Sequence, residues 1–140
     1  MRATRGAVFV AVLALLAAGC HGGSMTKYRF SKDSGSLQSL ATEGSVLADG
    51  VVDGRITTAF VRTHAQELAS DTEKLASVLD STHPQPGLER KTKRLAALAR
   101  EAARALRALA DHPSDATAAV GVKSALTNAA DSAEKLEKSL

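Results

Sequence analysis

Apolar and small residues recur at steps of three and four along the chain after residue 36. Four such stretches are separated by polar or turn-forming segments. Their positions are Leu37, Leu40, Gly44, Leu47 and Val51; Val61, Ala65, Leu68, Thr72, Leu75 and Leu79; Leu88, Thr92, Leu95, Ala99, Ala102, Leu106 and Leu109; and Val122, Leu126, Ala129, Ala133, Leu136 and Leu140. Alternating steps of three and four keep residues on one face of an α-helix. Each stretch therefore predicts an amphipathic helix whose apolar face needs a partner.

Three helix-breaking segments separate the stretches: Asp53-Gly54, residues 83–87 (HPQPG) and His112-Pro113. Capping residues stand directly after the first and third breaks: Thr57 or Thr58, and Ser114 or Asp115. Connections this short make successive helices antiparallel neighbours. The sequence therefore predicts an all-α fold, an antiparallel up-and-down four-helix bundle, as one domain over residues 37–140. Since no stretch shows sustained alternation with β-branched residues, we expect no sheet.

The first helix is the least strongly indicated, because Gly44 and Gly50 each cost about 1 kcal/mol relative to alanine. Gly44 lies on the apolar face, where a missing side chain would let a neighbouring helix approach closely. Residues 20–36 are rich in glycine and serine and show no apolar periodicity, so they predict a flexible tether. Within it, Lys27-Tyr28-Arg29-Phe30-Ser31-Lys32 alternates cations with aromatics. These residues either rest on anionic lipid headgroups or pack against the folded domain, and both interpretations are open.

The first 19 residues have the three parts of a secretory signal. Arg2 and Arg5 are followed by the wholly apolar residues 7–18, and Gly19-Cys20 close the run. An apolar run of this length is too short to cross a membrane, which takes about 20 residues. One alternative is a plain signal peptide or a short buried helix, in either case with an incidental cysteine. Another is translation that starts at Met25.

The segment LAAGC resembles the lipobox of bacterial lipoproteins, in which small residues precede an invariant cysteine. This resemblance implies cleavage after residue 19, lipidation of Cys20 with diacylglycerol and further acylation such as palmitate. It also implies attachment to the extracytoplasmic face of the cell membrane. Because each buried methylene contributes about 0.8 kcal/mol, two or more acyl chains make such attachment stable.

Removing the signal also changes the charge of the protein. The whole chain has 18 Lys and Arg, 15 Asp and Glu and a net charge of +3. Without Arg2 and Arg5 the excess of cations falls to one, so the high isoelectric point does not indicate a nucleic-acid partner. The predicted core consists of Leu, Ala and Val and leaves little room for a ligand, so we expect no cofactor.

The third helix has a strong local excess of positive charge. Lys93, Arg100, Arg104 and Arg107 fall within about 60° of one another, opposite the leucine positions. This line of cations is a candidate contact for an anionic polymer, for lipid headgroups or for an acidic partner. Its first turns are also basic, although the helix dipole disfavours cations there by about 0.3–1 kcal/mol each. The alternative is an ordinary solvated face, with Glu67, Asp71 and Glu73 of the second helix as salt-bridge partners.

His64 and Glu67 form an H-x-x-E pair, with Asp71 two turns from His64. Di-iron bundles use the reverse order on two helices together with further glutamates, so we interpret His64 as a half-buried residue at the edge of the core and predict no metal site. The single cysteine is assigned to lipid, and the sequence has no catalytic serine, phosphate-binding or zinc-protease motif. We therefore expect a protein that is not an enzyme.

Residues 37–69 resemble small uncharacterised lipoproteins of high-GC Gram-positive bacteria. The resemblance rests on the run EGSVLADG, on GRITTAF and on RTHAQEL. Because that group has no established activity, the resemblance implies localisation and little else. The expected function is that of a membrane-anchored, non-enzymatic interaction module. The alternatives are a binder of anionic envelope polymers or lipid headgroups through the third helix, and a metal-binding bundle.

Overall fold

The computed structural model describes residues 23–140, and within this range it has four long helices and two very short strands. In chain order the elements are β1 (Ser24–Met25), α1 (Lys27–Val52), α2 (Thr58–Ser81), β2 (His83–Pro84), α3 (Glu89–Asp111) and α4 (Ala116–Lys138). The predicted signal peptide (1–19), Cys20 and His21 lie outside the described residues.

Three of the helices begin at a side-chain cap that satisfies a free backbone amide. The hydroxyl of Thr26 accepts from the Arg29 amide, and the hydroxyl of Thr57 accepts from Phe60. The Asp115 carboxylate accepts from Ala118 at 2.9 Å. The caps at Thr57 and Asp115 are among those that the sequence predicts. The predicted turn at Asp53-Gly54 is also present, and Gly54 adopts a positive φ of 63° there.

The helices form the predicted antiparallel bundle. Ser34 on α1 bonds to the carbonyl of Ala133 on α4, whereas Asp49 near the end of α1 pairs with Lys123 near the start of α4. The numbers rise along one helix and fall along the other, so α1 and α4 run in opposite directions. The pairs α1–α4 and α2–α3 pack most extensively, and α1 and α2 contact each other less. The fold class is thereby confirmed.

The predicted apolar faces form one core. Most of their members are buried, and Leu40, Leu75, Leu136 and Leu140 are partly buried against the core. Thr72 and Thr92 are buried at the polar steps of the pattern, and the Thr72 hydroxyl donates to the carbonyl of Leu68. The spacing of apolar residues therefore identified the core-facing side of all four helices.

The boundary of the first helix differs from the prediction. Helix α1 begins at Lys27, so the assignment of residues 27–36 to a tether is wrong. Phe30 and Ser34 are fully buried and extend the three-and-four spacing back from Leu37. Ser34 is tolerated in the core because its hydroxyl donates to the carbonyl of Ala133 at 2.8 Å. The glycine and serine content of this segment concealed its periodicity.

The expectation that the chain has no sheet is also wrong in detail. Ser24 pairs with His83 and Met25 with Pro84 in a parallel arrangement. The amide of Gln85 donates to the carbonyl of Met25 at 3.1 Å, and the Met25 side chain is fully buried. Two-residue strands are too short to produce an alternating pattern in the sequence. They tie the entry of the chain to the connection between α2 and α3.

Gly44 provides the close helix approach that the sequence suggests. A Cβ atom at this position would lie 2.6 Å from Cδ2 of Leu106 and 2.8 Å from Cδ1 of Leu126. Both leucines are fully buried and so have little freedom to move away. The backbone of α1 therefore forms part of the wall of the core.

We expect Gly44→Ala to be less stable than Gly35→Ala by about 1–3 kcal/mol, because only the former overpacks the core. Both changes add one methyl group to α1 and gain about 1 kcal/mol of helix propensity. A Cβ atom at Gly35 meets nothing within 4 Å. Urea denaturation of the two variants measures the difference, and equal free energies of unfolding would contradict the close packing at Gly44.

We expect Phe30→Ala to lower the free energy of unfolding by about 3–5 kcal/mol, because it leaves a cavity in the core. The matched control is Tyr28→Ala, since Tyr28 lies in the same turn but is 82% exposed. That change should stay within about 0.5 kcal/mol of the wild type. Denaturation followed by circular dichroism compares the two, and a neutral Phe30→Ala would restore the tether assignment.

Candidate functional site

The four cations predicted to form a line on α3 fall into two groups. Arg100 Nη1 lies 2.5 Å from Oδ2 of Asp80, and Arg107 makes two bonds of 2.5 Å to the carboxylate of Glu73. Lys93 and Arg104 are exposed and have no ion-pair partner within residues 23–140. Arg100 and Arg107 are thus paired with acids of α2, whereas Lys93 and Arg104 are available to an external anion.

The Arg107–Glu73 pair alters the ionisation of both groups. The hydrogen bonds from Arg107 and its positive charge lower the pKa of Glu73, and the carboxylate raises the pKa of Arg107. About half of each side chain is exposed, and solvent screens their attraction, so the pair contributes little to stability. Glu73 was one of the three acids suggested by the sequence. Asp71 instead pairs with Lys74, and Glu67 lies beside His64.

His64 lies at the edge of the core, as predicted, with 28% of its side chain exposed. Its ring stacks on Phe60 with the centroids 5.4 Å apart. Nε2 donates to Oε1 of Glu43 at 2.7 Å, and Nδ1 lies 3.5 Å from Oε2 of Glu67. Glu43 on α1 was not singled out from the sequence, because its contact with α2 depends on how the two helices pack.

This histidine does not form a metal centre with its neighbours. The two carboxylates face different nitrogens of the ring, so they do not converge on one point with it. No group of three or more His, Cys, Asp or Glu side chains within residues 23–140 is arranged to hold a metal ion. His64 instead links α1 to α2 through Glu43.

A groove of about 280 Å³ opens between the end of α1 and the start of α2. Apolar and small residues line it: Val46, Leu47, Gly50, Ile56 and Phe60. Glu43, Arg55 and His64 form its polar rim. Val46 is 68% exposed and Phe60 is 54% exposed, so two large apolar side chains face solvent there. We call this feature the distal groove.

Sequence reasoning missed the distal groove. Val46 and Phe60 lie outside the apolar face of their helices, and this was the one available signal. It was weak, since single exposed apolar residues are common on protein surfaces. Only the packing of α1 against α2 shows that the two residues border the same depression.

Cys20, the predicted lipid attachment residue, lies outside the described residues. Within residues 23–140, none of the helices combines the length and the apolar character needed to cross a membrane. Comparison with known proteins gives no match to a protein-family model, a curated protein or a solved structure.

Replacing Arg107 with glutamine should raise the pKa of Glu73 towards its ordinary value, because the donor that lowers it is removed. A lowered pKa in the folded state means that the pair stabilises the protein above the pKa of the unfolded chain. That contribution is lost as the pH falls through the folded pKa. NMR titration of the Glu73 carboxyl carbon measures the change.

The control for this titration is Arg104→Gln. Arg104 lies on the same face of α3 but pairs with no carboxylate within the described part of the chain. Its removal should leave the Glu73 titration nearly unchanged. A shift as large as that of Arg107→Gln would mean that general charge, rather than the specific pair, controls Glu73.

Proposed function

We propose that this protein is an exported lipoprotein whose helical bundle is a non-enzymatic interaction module, attached to the membrane through a lipid on Cys20. The observation that carries the proposal is the point at which the chain enters the fold. Ser24 and Met25 pair with β2, and Met25 is fully buried. The four steps from Cys20 to Ser24 span at most about 14 Å. A lipid on Cys20 would therefore hold this end of the bundle close to the membrane.

The distal groove lies at the opposite end of the bundle. It borders the start of α2, and β2 directly follows the end of α2. A helix of 24 residues is about 36 Å long, so the groove would face away from the membrane. An apolar floor with a polar rim matches the usual centre and edge of a protein interface. The partner that we propose is a protein that inserts an apolar side chain beside Phe60.

A second candidate function is binding of an anionic envelope polymer through α3. Lys93 and Arg104 favour it, since they are exposed and have no ion-pair partner within residues 23–140. The pairs Arg100–Asp80 and Arg107–Glu73 weigh against it, because a polymer would have to compete with a carboxylate at both positions. We therefore rank it second.

The anchor is tested by replacing Cys20 with serine. We expect the wild-type protein in the membrane fraction, with a mass increased by diacylglycerol. Cys20→Ser should lose that mass and leave the membrane, because the thiol that accepts the lipid is absent. Fractionation and mass spectrometry measure both effects, and an unmodified wild-type Cys20 would overturn the anchor.

The interaction module is tested by a photo-crosslinking residue at Phe60, with Val120 on α4 as the matched control. The two side chains are exposed to similar extents, 54% and 56%. We expect one protein to crosslink at Phe60 alone, and Val46→Glu to abolish the adduct. High salt should not remove an apolar contact. Equal labelling at both positions would contradict a specific partner, and loss of the adduct in high salt would favour the basic face of α3.

A further inference from the structure

The end of the bundle at which the chain enters, which we call the base, has an excess of positive charge. The base comprises residues 23–33, 75–95 and 132–140. Its nine Lys and Arg residues outnumber its five Asp and Glu residues. The cations are Lys27, Arg29, Lys32, Arg90, Lys91, Lys93, Arg94, Lys135 and Lys138. The acids are Asp33, Asp80, Glu89, Glu134 and Glu137. At the opposite end, residues 46–64 and 105–122, three cations stand against four acids. The cations are Arg55, Arg62 and Arg107, and the acids are Asp49, Asp53, Asp111 and Asp115. The charge of the bundle is therefore asymmetric along its axis.

Most of the basic side chains at the base are not neutralised by a carboxylate. Within residues 23–140, Arg29 and Lys138 are the two base cations that form ion pairs with a side-chain carboxylate, those of Asp33 and Glu134. Lys27 and Lys91 donate to the main-chain oxygens of Leu140 and Ser139. The remaining five are without an ion pair in the described range of the chain: Lys32, Arg90, Lys93, Arg94 and Lys135. Five cations of the base can thus face an external anion.

Helix α3 places its cations where they are electrostatically unfavourable for the isolated protein. Arg90, Lys91 and Arg94 lie in its first two turns, where the helix dipole disfavours positive charge. No side chain caps this end of α3, and the Glu89 carboxylate accepts from the amide of Gly87. An external layer of negative charge would offset the unfavourable interaction between these cations and the helix dipole.

The base also contains an exposed aromatic residue, Tyr28. It is the second residue of α1 and is 82% exposed, although Phe30 two residues later is in the core. Lys32 lies one turn further along the same outward face. Tyrosine is enriched where a protein meets the polar headgroups of a membrane, because its ring is apolar and its hydroxyl is polar.

We propose that the base of the bundle docks on a membrane surface of anionic lipid headgroups, with Tyr28 at the level of the headgroups. The proposal rests on the lipid anchor at Cys20 proposed above. With at most about 14 Å of chain between Cys20 and Ser24, Ser24 stays within that distance of the lipid, and the base can come within one Debye length, about 8 Å, of the surface. Headgroups rather than a soluble polymer are favoured because the basic end is also the end nearest the lipid.

Tyr28 provides the measurement, because the chain has one tyrosine and no tryptophan. The protein purified from the membranes of cells that express the full chain is mixed with vesicles of phosphatidylcholine alone or of phosphatidylcholine with phosphatidylglycerol. We expect the anionic vesicles to shield Tyr28 from acrylamide and to allow quenching by brominated lipids. High salt should reverse both effects. Flotation of the vesicles tests the anchor separately.

Two matched double variants locate the interaction. Lys32→Gln with Arg90→Gln removes two base cations, and Arg62→Gln with Arg104→Gln removes two cations outside the base. All four residues are exposed, and none forms an ion pair within residues 23–140. We expect the first variant to lower the ratio of docked to undocked protein about 30-fold. The second should change it little.

The outcomes separate the two proposals. A protein that does not float with either vesicle overturns the anchor, and the docking with it. A protein that floats with both vesicles but exposes Tyr28 equally in each overturns the docking alone. Equal losses in the two double variants, or shielding of Tyr28 by a soluble polyphosphate but not by phosphatidylglycerol, would also overturn docking of the base on headgroups.

Discussion

Leu106 and Leu126 fill the space that the missing side chain of Gly44 leaves, and this contact joins three helices at the centre of the bundle. A Cβ atom at Gly44 would lie less than 3 Å from both leucines, so α1 approaches as closely as its backbone allows. Burial of each leucine contributes about 1.5–3 kcal/mol, a large share of the 5–15 kcal/mol typical of a domain. Ala41, Ala48, Ala129 and Ala133 continue the small-residue packing along α1 and α4. Helix α1 packs less extensively on α2 than on α4, and the distal groove opens between α1 and α2.

The three-and-four spacing was sufficient to predict four helices, their core-facing sides and their antiparallel order. It failed where the side chain that reaches the core is polar or small. Ser34 is buried only because Ala133 offers a carbonyl at hydrogen-bond distance, and that partner is 99 residues away in the chain. The pairing of Met25 with Pro84 likewise depends on contacts between distant segments. Local periodicity contains no information about such partners.

The candidate functional sites depend on contacts between helices even more than the fold does, so less of them could be predicted from the sequence. The position of the four cations on the exposed side of α3 follows from helix geometry alone. Whether each cation is free depends on how α2 lies against α3, which places Asp80 opposite Arg100 and Glu73 opposite Arg107. The distal groove depends on the distance between two helices and on an exposed face of each. A helical wheel drawn for one helix cannot show either property.

The two ends of the bundle differ in a way that neither the fold nor the composition requires. An up-and-down bundle places two connections at one end and the remaining connection with both chain ends at the other. Here the cations cluster at the end where the chain enters, and the exposed apolar pair Val46 and Phe60 lies at the other. Because the proposed anchor is separated from the base by less than half the length of a helix, the bundle would have little freedom to turn over. The anchor would then determine the orientation as well as the location of the protein, so that one end meets lipid and the other remains available to a partner.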